Sequence, residues 1–524
     1  MRRCGRMSLV MLIAFGVRMI HLQIRPLWYD EAFAVLYASL SPAQMLYGTV
    51  TPVEGAGAAD VHPLLYYFLL HGWMDLAGCS PLAVRYLSVA LGMVTVALLW
   101  RLAAWCFGQP TGLAVGLLAA TNPFHVAYSQ ETRMYALLGL AAVVAAWALL
   151  RVLAAGEAVD RRQGAGSREQ DATGGGAGRG LWSEVHWWGL YAVGAALTLY
   201  AHNLGAFVLL ALHLLVVVHR RWWRCLPALF LVDLVALVLF SPWLIGVLPG
   251  QVGFVGRGYW LAPPSADEVI RALMLPVLTF YEPAPVWVLG SGLFAGLLIL
   301  VLVALRSWQA YSRAGWFLLL CWVPVLSLML VSRWQPLYLE RALLPSALFY
   351  LGAVGWLLIR GGLPRPLRLG LTVLLTVSVT GSLVVHYTYA RFPRPPFQEA
   401  IAYLDARVES MDAVVHTNKL TYFPMHVYAP GLDGTFLADP PGSLQDTLAS
   451  PTQEALGIFA TSTIAEAVGE AQRVWLIYFP REVEEVQALG VEHPALSWLA
   501  DDFVEAERRW FGDLVVALYC REES

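Results

Sequence analysis

Two adjacent carboxylates, Asp30 and Glu31, follow the apolar run Met7 to Ile24 within the segment Leu27-Trp28-Tyr29-Asp30-Glu31-Ala32. Paired acids at the edge of a bilayer are costly unless they are solvated, paired or bound to a cation, so their position asks for an explanation. Helix capping is the competing one, with Asp30 capping a helix that begins at Glu31. Farther along the same loop, His62-Pro63-Leu64-Leu65-Tyr66-Tyr67 reads as the start of a short interfacial helix. Pro63 suits its first turn, which leaves His62 at the positive end, where an anion is welcome. A tight turn, Ser129-Gln130-Glu131-Thr132-Arg133-Met134-Tyr135, sets Glu131 and Arg133 where two apolar runs meet. Two more turns contribute Tyr200-Ala201-His202-Asn203 and the stretch Arg333 to Arg341, which contains Tyr338. Four polar clusters thus converge on one face of an otherwise apolar chain.

Carboxylates, histidines and arginines at a membrane face suit the handling of a phosphate attached to a lipid-soluble group while a polar group is moved. An enzyme with a polyprenyl-phosphate sugar donor fits. An acceptor hydroxyl needs a base as it attacks the anomeric carbon, a role worth typically about 10²- to 10⁴-fold, and Asp30 is the candidate. The departing lipid phosphate gains charge, which Arg133 and His62 are placed to stabilise. One base with direct attack predicts single displacement with inversion rather than the two-step route of a carboxylate nucleophile.

The elements that carry these turns are legible in the composition. Of 524 residues, 58% are hydrophobic and 14% charged, against roughly 25% charged in soluble domains. That excludes a soluble fold, and a net charge of −3 argues against a nucleic-acid partner. Runs long enough to cross a bilayer fall at Met7–Ile24, Val84–Phe107, Gly112–Tyr128, Tyr135–Leu153, Trp187–Ala201, Leu204–Val218, Cys225–Val247, Val286–Leu305, Trp316–Val331, Ala342–Ile359 and Leu369–Tyr389, about eleven spans. Arginines cluster at alternate connections, which places the N-terminus in the cytoplasm and the C-terminus outside a plasma membrane. The expectation is a mainly α, polytopic domain over residues 1–390 with a first outer loop at about 25–84. The Gly- and charge-rich stretch at about 156–183 reads as a flexible cytoplasmic loop. Residues 391–524 read as a small extracytoplasmic α/β domain, with a helix at Phe397–Arg407 and strands at Ala413–His416, Val474–Phe479 and Leu514–Tyr519. Arg18 and Asp233 are the main charges inside spans, and neither has an obvious partner in sequence. Six scattered cysteines suggest neither a zinc site nor a disulfide framework.

Tyr29-Asp30-Glu31, His62-Pro63-Leu64-Leu65-Tyr66-Tyr67, Arg85-Tyr86-Leu87-Ser88 and Ser129 to Tyr135 together resemble the bacterial glycosyltransferase family 39 proteins. These are multi-span enzymes of the GT-C class, similar to protein O-mannosyltransferases and lipid A aminoarabinose transferases. The resemblance implies an extracytoplasmic site, a polyprenyl-phosphate-linked sugar donor, and a catalytic acid matching Asp30 with Glu31 beside it. Glu131 falls where relatives carry a second acid, implicated with the first in binding acceptor or a divalent cation (Mg, Mn or Zn). His62 stands where the lipid A enzymes carry a lysine near the donor phosphate, and Arg341 lies in the stretch resembling the late loop that borders the donor pocket. Tyr66, Tyr135, His202, Asn203 and Tyr338 are the expected supporting residues. The expected partners are the lipid-linked donor, a protein, lipid or glycan acceptor, and the bilayer itself. A transporter or flippase of lipid-linked substrates is the alternative, but the polar residues gather at one face, whereas transporters place broken helices and charges at mid-membrane.

Overall fold

A computed structural model describes residues 2–53, 57–58, 62–165, 177–249, 263–275, 277–279, 284–310, 313–432, 434–439, 447–488 and 490–522. Among these, seven helices are long and apolar enough to cross a membrane: Pro81–Phe107, Tyr135–Glu157, Arg220–Gly246, Val286–Ser307, Ala314–Val331, Glu340–Arg360 and Arg365–Thr388, with Asn203–Val218 as a shorter apolar helix. The run expected as one span at Gly112–Tyr128 is divided between two helices. The Asn122 side chain accepts a hydrogen bond from the His125 N–H at 2.8 Å. With Pro123 behind it, this cap ends one helix of 13 residues, Gln109–Thr121, and starts another of seven, Pro123–Ser129. The expected flexible loop is also partly helical, since helices run to Ala165 and resume at Ala177, while residues 166–176 lie outside the described set.

Burial separates central from peripheral helices. The apolar windows of Glu340–Arg360 and Tyr135–Glu157 are 89% and 78% buried, against 22% for Arg220–Gly246. The two enclosed helices begin at Glu340, beside Arg341, and at Tyr135, so the bundle's axis delivers the predicted polar turns to one end. Close approach between helices uses small residues, as expected where lipid supplies no hydrophobic drive: a Cβ on Gly194 would stand 2.9 Å from the Ala145 nitrogen.

Both intramembrane charges find partners from distant sequence. The Arg18 guanidinium donates to the carbonyls of Ala14 (3.0 Å), Ala120 (2.9 Å) and Ala119 (3.3 Å) and lies 3.0 Å from His125 Nδ1. Asp233 accepts from Tyr191 Oη at 2.9 Å and pairs with His213 Nε2 at 2.6 Å, joining three helices. A buried polar group in hydrocarbon must be satisfied within the protein, and these contacts do so for both terminal nitrogens of Arg18 and for the Asp233 carboxylate.

Beyond the last long helix, six strands form one sheet in the order β5-β4-β3-β6-β8-β7, where β1 (Pro52–Val53) and β2 (Gly57–Ala58) are a separate two-residue antiparallel pair. The sheet strands are β3 (Ala413–His416), β4 (Gly434–Leu437), β5 (Ala460–Thr461), β6 (Arg473–Tyr478), β7 (Phe503–Phe511) and β8 (Leu514–Arg521). β3 to β6 pair in parallel and β8 runs antiparallel between β6 and β7. The three predicted strands and the helix Phe397–Asp405 are present.

Candidate active site

The helix α2 (Tyr29–Ala38), which follows α1 (Arg2–Met19), begins two residues earlier than a cap at Asp30 requires. Trp28 is extended at the cap position, and Asp30 and Glu31 lie in the first turn. Neither acid is spent on capping.

The two carboxylates part company in three dimensions. Glu31 is fully enclosed: Arg85 Nε and Nη2 donate to its two oxygens at 2.7 and 2.6 Å, Arg394 Nη1 donates at 2.5 Å, and the Thr132 N–H at 3.0 Å. Its side chain is 0% exposed, whereas that of Asp30 is 13% exposed. A base must reach its substrate, so Asp30 is the acid with access and Glu31 is an anchor. Of the two acids expected to act chemically, Asp30 is the more exposed and Glu31 the more fully paired.

Around Asp30, Arg341 Nη1 donates to Oδ2 and Arg133 Nε stands 3.9 Å from the same atom. Arg133 Nη1 donates to Tyr67 Oη at 3.2 Å. His62 joins the electrostatic neighbourhood of Asp30, and its ring lies edge-on to His202 at 5.5 Å. The His202 Nδ1 accepts from the Leu204 N–H at 3.1 Å, which leaves the proton of the neutral ring on Nε2. That Nε2 and the Tyr135 hydroxyl are buried with no hydrogen-bond partner among the described residues, and their rings are 6.0 Å apart. Two such donors beside two guanidiniums suit an anion.

Glu131 accepts from Trp28 Nε1 at 2.7 Å and lies 3.7 Å from Arg394 Nη2. The guanidiniums of Arg341 and Arg394 lie over the Trp28 ring at 5.5 and 5.7 Å. The structure therefore brings together Asp30, Glu31, His62, Glu131, Arg133, Tyr135, His202 and Arg341. Two expected supporting residues, Asn203 and Tyr338, make their hydrogen bonds elsewhere, while Tyr66 lies in the electrostatic neighbourhood of Glu31, Arg133 and Glu131 without a hydrogen bond to them. Tyr66 Oη meets Ser88 Oγ at 3.0 Å, because one residue along a helix turns the side chain by about 100° and it is Tyr67 that faces Arg133. Asn203 accepts from Trp243 Nε1 at 3.1 Å, and Tyr338 Oη donates to the Glu268 carbonyl at 3.4 Å. Pro63 precedes helix α4 (Leu65–Ala77) rather than lying in its first turn.

The acids do not fit a divalent cation. Each carboxylate is already paired with at least one arginine, and among the described residues no group of three metal-ligating side chains is assembled. The expected Asp30 and Glu131 metal pair is replaced by guanidinium chemistry.

Burial pushes the Asp30 carboxyl up, but Arg341, Arg133 and His62 outweigh it and hold it below the ordinary range. Glu31 follows the same balance under Arg394 and Arg85 and falls to about 2. Burial dominates at Glu131, raising it despite Arg394 and Arg341, with Glu31 and Asp30 adding to the rise. The sign for Asp30 follows. Its folded value is depressed, so its ionised form is retained, and stabilises the fold, above the unfolded value near about 4, and this is lost only as pH falls through the lower folded value. A rate–pH profile is therefore expected to show no limb from Asp30 between about pH 5 and 7. Such a limb, removed by Asp30→Asn without other change, would contradict it.

The chain folds as a helical membrane bundle with a buried, arginine-ringed acid cluster at one end, and this overall fold is shared with solved structures of membrane proteins. Residues 61–160 match the family model described as dolichyl-phosphate-mannose-protein mannosyltransferase. The crystal structure of ArnT from Cupriavidus metallidurans in the apo state is similar over 99% of this chain and 98% of that one, with a TM-score of 0.60 at 13% identity. The same protein bound to undecaprenyl phosphate is similar over 98% of each chain, with a TM-score of 0.57 at 13% identity. The Archaeoglobus fulgidus oligosaccharyltransferase in complex with Zn and sulfate is similar over 93% of this chain and 69% of that one, with a TM-score of 0.50 at 10% identity. No curated protein matches the sequence significantly.

Proposed function

We propose that this protein is a membrane glycosyltransferase that moves a sugar from a polyprenyl phosphate to an extracytoplasmic acceptor hydroxyl or similar nucleophile. The observation that carries this reading is the accessible Asp30 beside a pocket of Arg133, Arg341, Tyr135 Oη and His202 Nε2. The likeness to ArnT bound to undecaprenyl phosphate supports it, as does the mannosyltransferase family match over residues 61–160.

In this reading the acceptor oxygen forms a bond to the anomeric carbon while its proton passes to Asp30 Oδ. The bond from that carbon to the phosphate oxygen breaks, and the polyprenyl phosphate leaves with the electron pair. Arg341 and Arg133 meet the charge that grows on that phosphate, in a site poor in water where preorganised donors act most strongly. His202 Nε2 and Tyr135 Oη supply neutral hydrogen bonds to the same group, with His62 at its edge. Single displacement predicts inversion at the anomeric carbon. No step is routed through a divalent cation. The topology that goes with this places the N-terminus in the cytoplasm and the C-terminal region, residues 391–524, outside.

The test is binding of undecaprenyl phosphate to the purified protein in nanodiscs. Arg341→Met removes a charge-assisted contact, worth about 1.5–3 kcal/mol, and should weaken binding by roughly 10- to 100-fold. Equal affinity of the two proteins for the lipid phosphate would sink the assignment. A lipid-linked-substrate transporter is the second reading, but the two main charges within apolar helices are already engaged by the protein: Asp233 by Tyr191 and His213, and both terminal nitrogens of Arg18 by backbone carbonyls.

A further inference from the structure

The five residues Leu27 to Glu31 carry the proposed base, and four of them are held from beyond the last long helix. Tyr428 Oη accepts from the Leu27 N–H at 2.8 Å. The Arg394 guanidinium lies over Trp28 at 5.7 Å. Phe423 packs edge-on to Tyr29 at 5.6 Å, and Lys419 lies over the same ring at 5.5 Å. Arg394 Nη1 donates to Glu31 Oε2 at 2.5 Å and to the Pro26 carbonyl at 3.4 Å, while its Nη2 stands 3.7 Å from Glu131 Oε1. Asp30 is the exception, with Arg341 and Arg133 as its charged neighbours.

We propose that the C-terminal α/β region is a positioning clamp for the catalytic segment, with Arg394 as the positioning residue that joins Glu31 to Glu131 and the helix Lys419–Tyr428 gripping Leu27 and Tyr29. This rests on the transferase reading for its consequence in catalysis, and on geometry alone for the clamp itself. Arg394 is 6% exposed and lies between the helix Arg365–Thr388 and the helix Phe397–Asp405 that opens the α/β region, so it transmits the placement of that region to the acids. Glu31 is tied on its other side by Arg85. Removing Arg394 therefore leaves the acid anchored to the bundle but frees the turn that aims its neighbour Asp30. The region's role is then to hold geometry, where a displacement of about 1 Å can cost about 100-fold in rate, rather than to act only in gripping acceptor.

Full-length protein in nanodiscs tests this with Arg394→Met and Arg394→Lys in two independent arms. The first is hydrogen exchange across residues 27–37, which needs no activity. Faster exchange there in Arg394→Met, partly restored in Arg394→Lys, is expected, and unchanged exchange would overturn the clamp. The second is transfer kinetics, where kcat should fall about 100-fold in Arg394→Met with donor and acceptor KM within about threefold. A loss confined to acceptor KM, or a kcat within about twofold of wild type, would overturn the positioning role. If the wild type moves no sugar, the transferase reading fails while the exchange arm still decides the clamp. Should Arg394→Met fail to fold, Phe423→Ala removes the Tyr29 contact without stranding a charge and takes its place in both arms.

Discussion

Asp30→Asn should lower sugar transfer by about 10²- to 10⁴-fold while the protein remains folded and membrane-inserted. The substitution is nearly isosteric and keeps an oxygen for Arg341 to donate to, so the arginine is not stranded. What it removes is the capacity to take a proton. The geometry makes this specific to Asp30. Glu31 is closer to saturation, with both oxygens in hydrogen bonds and no exposed surface, and Glu131 has its Oε1 committed to Trp28. Melting temperature and transfer measured on the same preparation separate the two effects: unchanged melting with lost transfer is expected. Full transfer by folded Asp30→Asn protein would remove Asp30 as the base.

The largest effect on stability should come from Arg85→Met. Arg85 is 1% exposed. Besides both Glu31 oxygens it donates to the carbonyls of Leu22 (2.8 Å), Arg25 (2.7 Å) and Pro26 (3.0 Å). It therefore closes the connection between the first helix and α2 onto the helix Pro81–Phe107. Methionine fills much of the volume but leaves three carbonyls without this donor and Glu31 with one arginine instead of two. Breaking a buried pair by removing one partner costs about 3–5 kcal/mol, a large share of the roughly 5–15 kcal/mol that holds a protein folded. The expected result is little extractable folded protein, or a melting temperature well below wild type. Lysine should rescue poorly, because a point charge cannot reach the five positions that the guanidinium fork covers. Wild-type melting of Arg85→Met would show that Glu31 is not held as described.

Much of the arrangement is legible in the sequence because it depends on short-range signals. Apolar length marks the bundle, and the acids, histidines and arginines that meet at the site stand in turns between apolar runs, where a charge is conspicuous. The strand Ala413–His416 is legible for the same reason, as a short β-branched run between polar residues. What escapes depends on contacts far apart in the chain. Nothing near Arg394 marks it as the partner of Glu31, 363 residues earlier, and nothing near Asp233 points to His213 and Tyr191. Tyr66 and Tyr67 cannot be ranked without the helix's rotation. The break at Asn122-Pro123 hides inside an apolar run, although the cap followed by proline is a recognised helix start. Metal binding was implied by the resemblance and by acids alone. Only the geometry reveals that arginines occupy them.

The most direct test of the account offers a panel of labelled polyprenyl-phosphate sugars to purified wild-type protein in membranes, with Asp30→Asn in parallel, and follows the label. The account predicts transfer from at least one donor by wild type, with inversion at the anomeric carbon and loss of transfer in the variant. Intact donors that the folded wild type moves across the bilayer without transferring any sugar would contradict it.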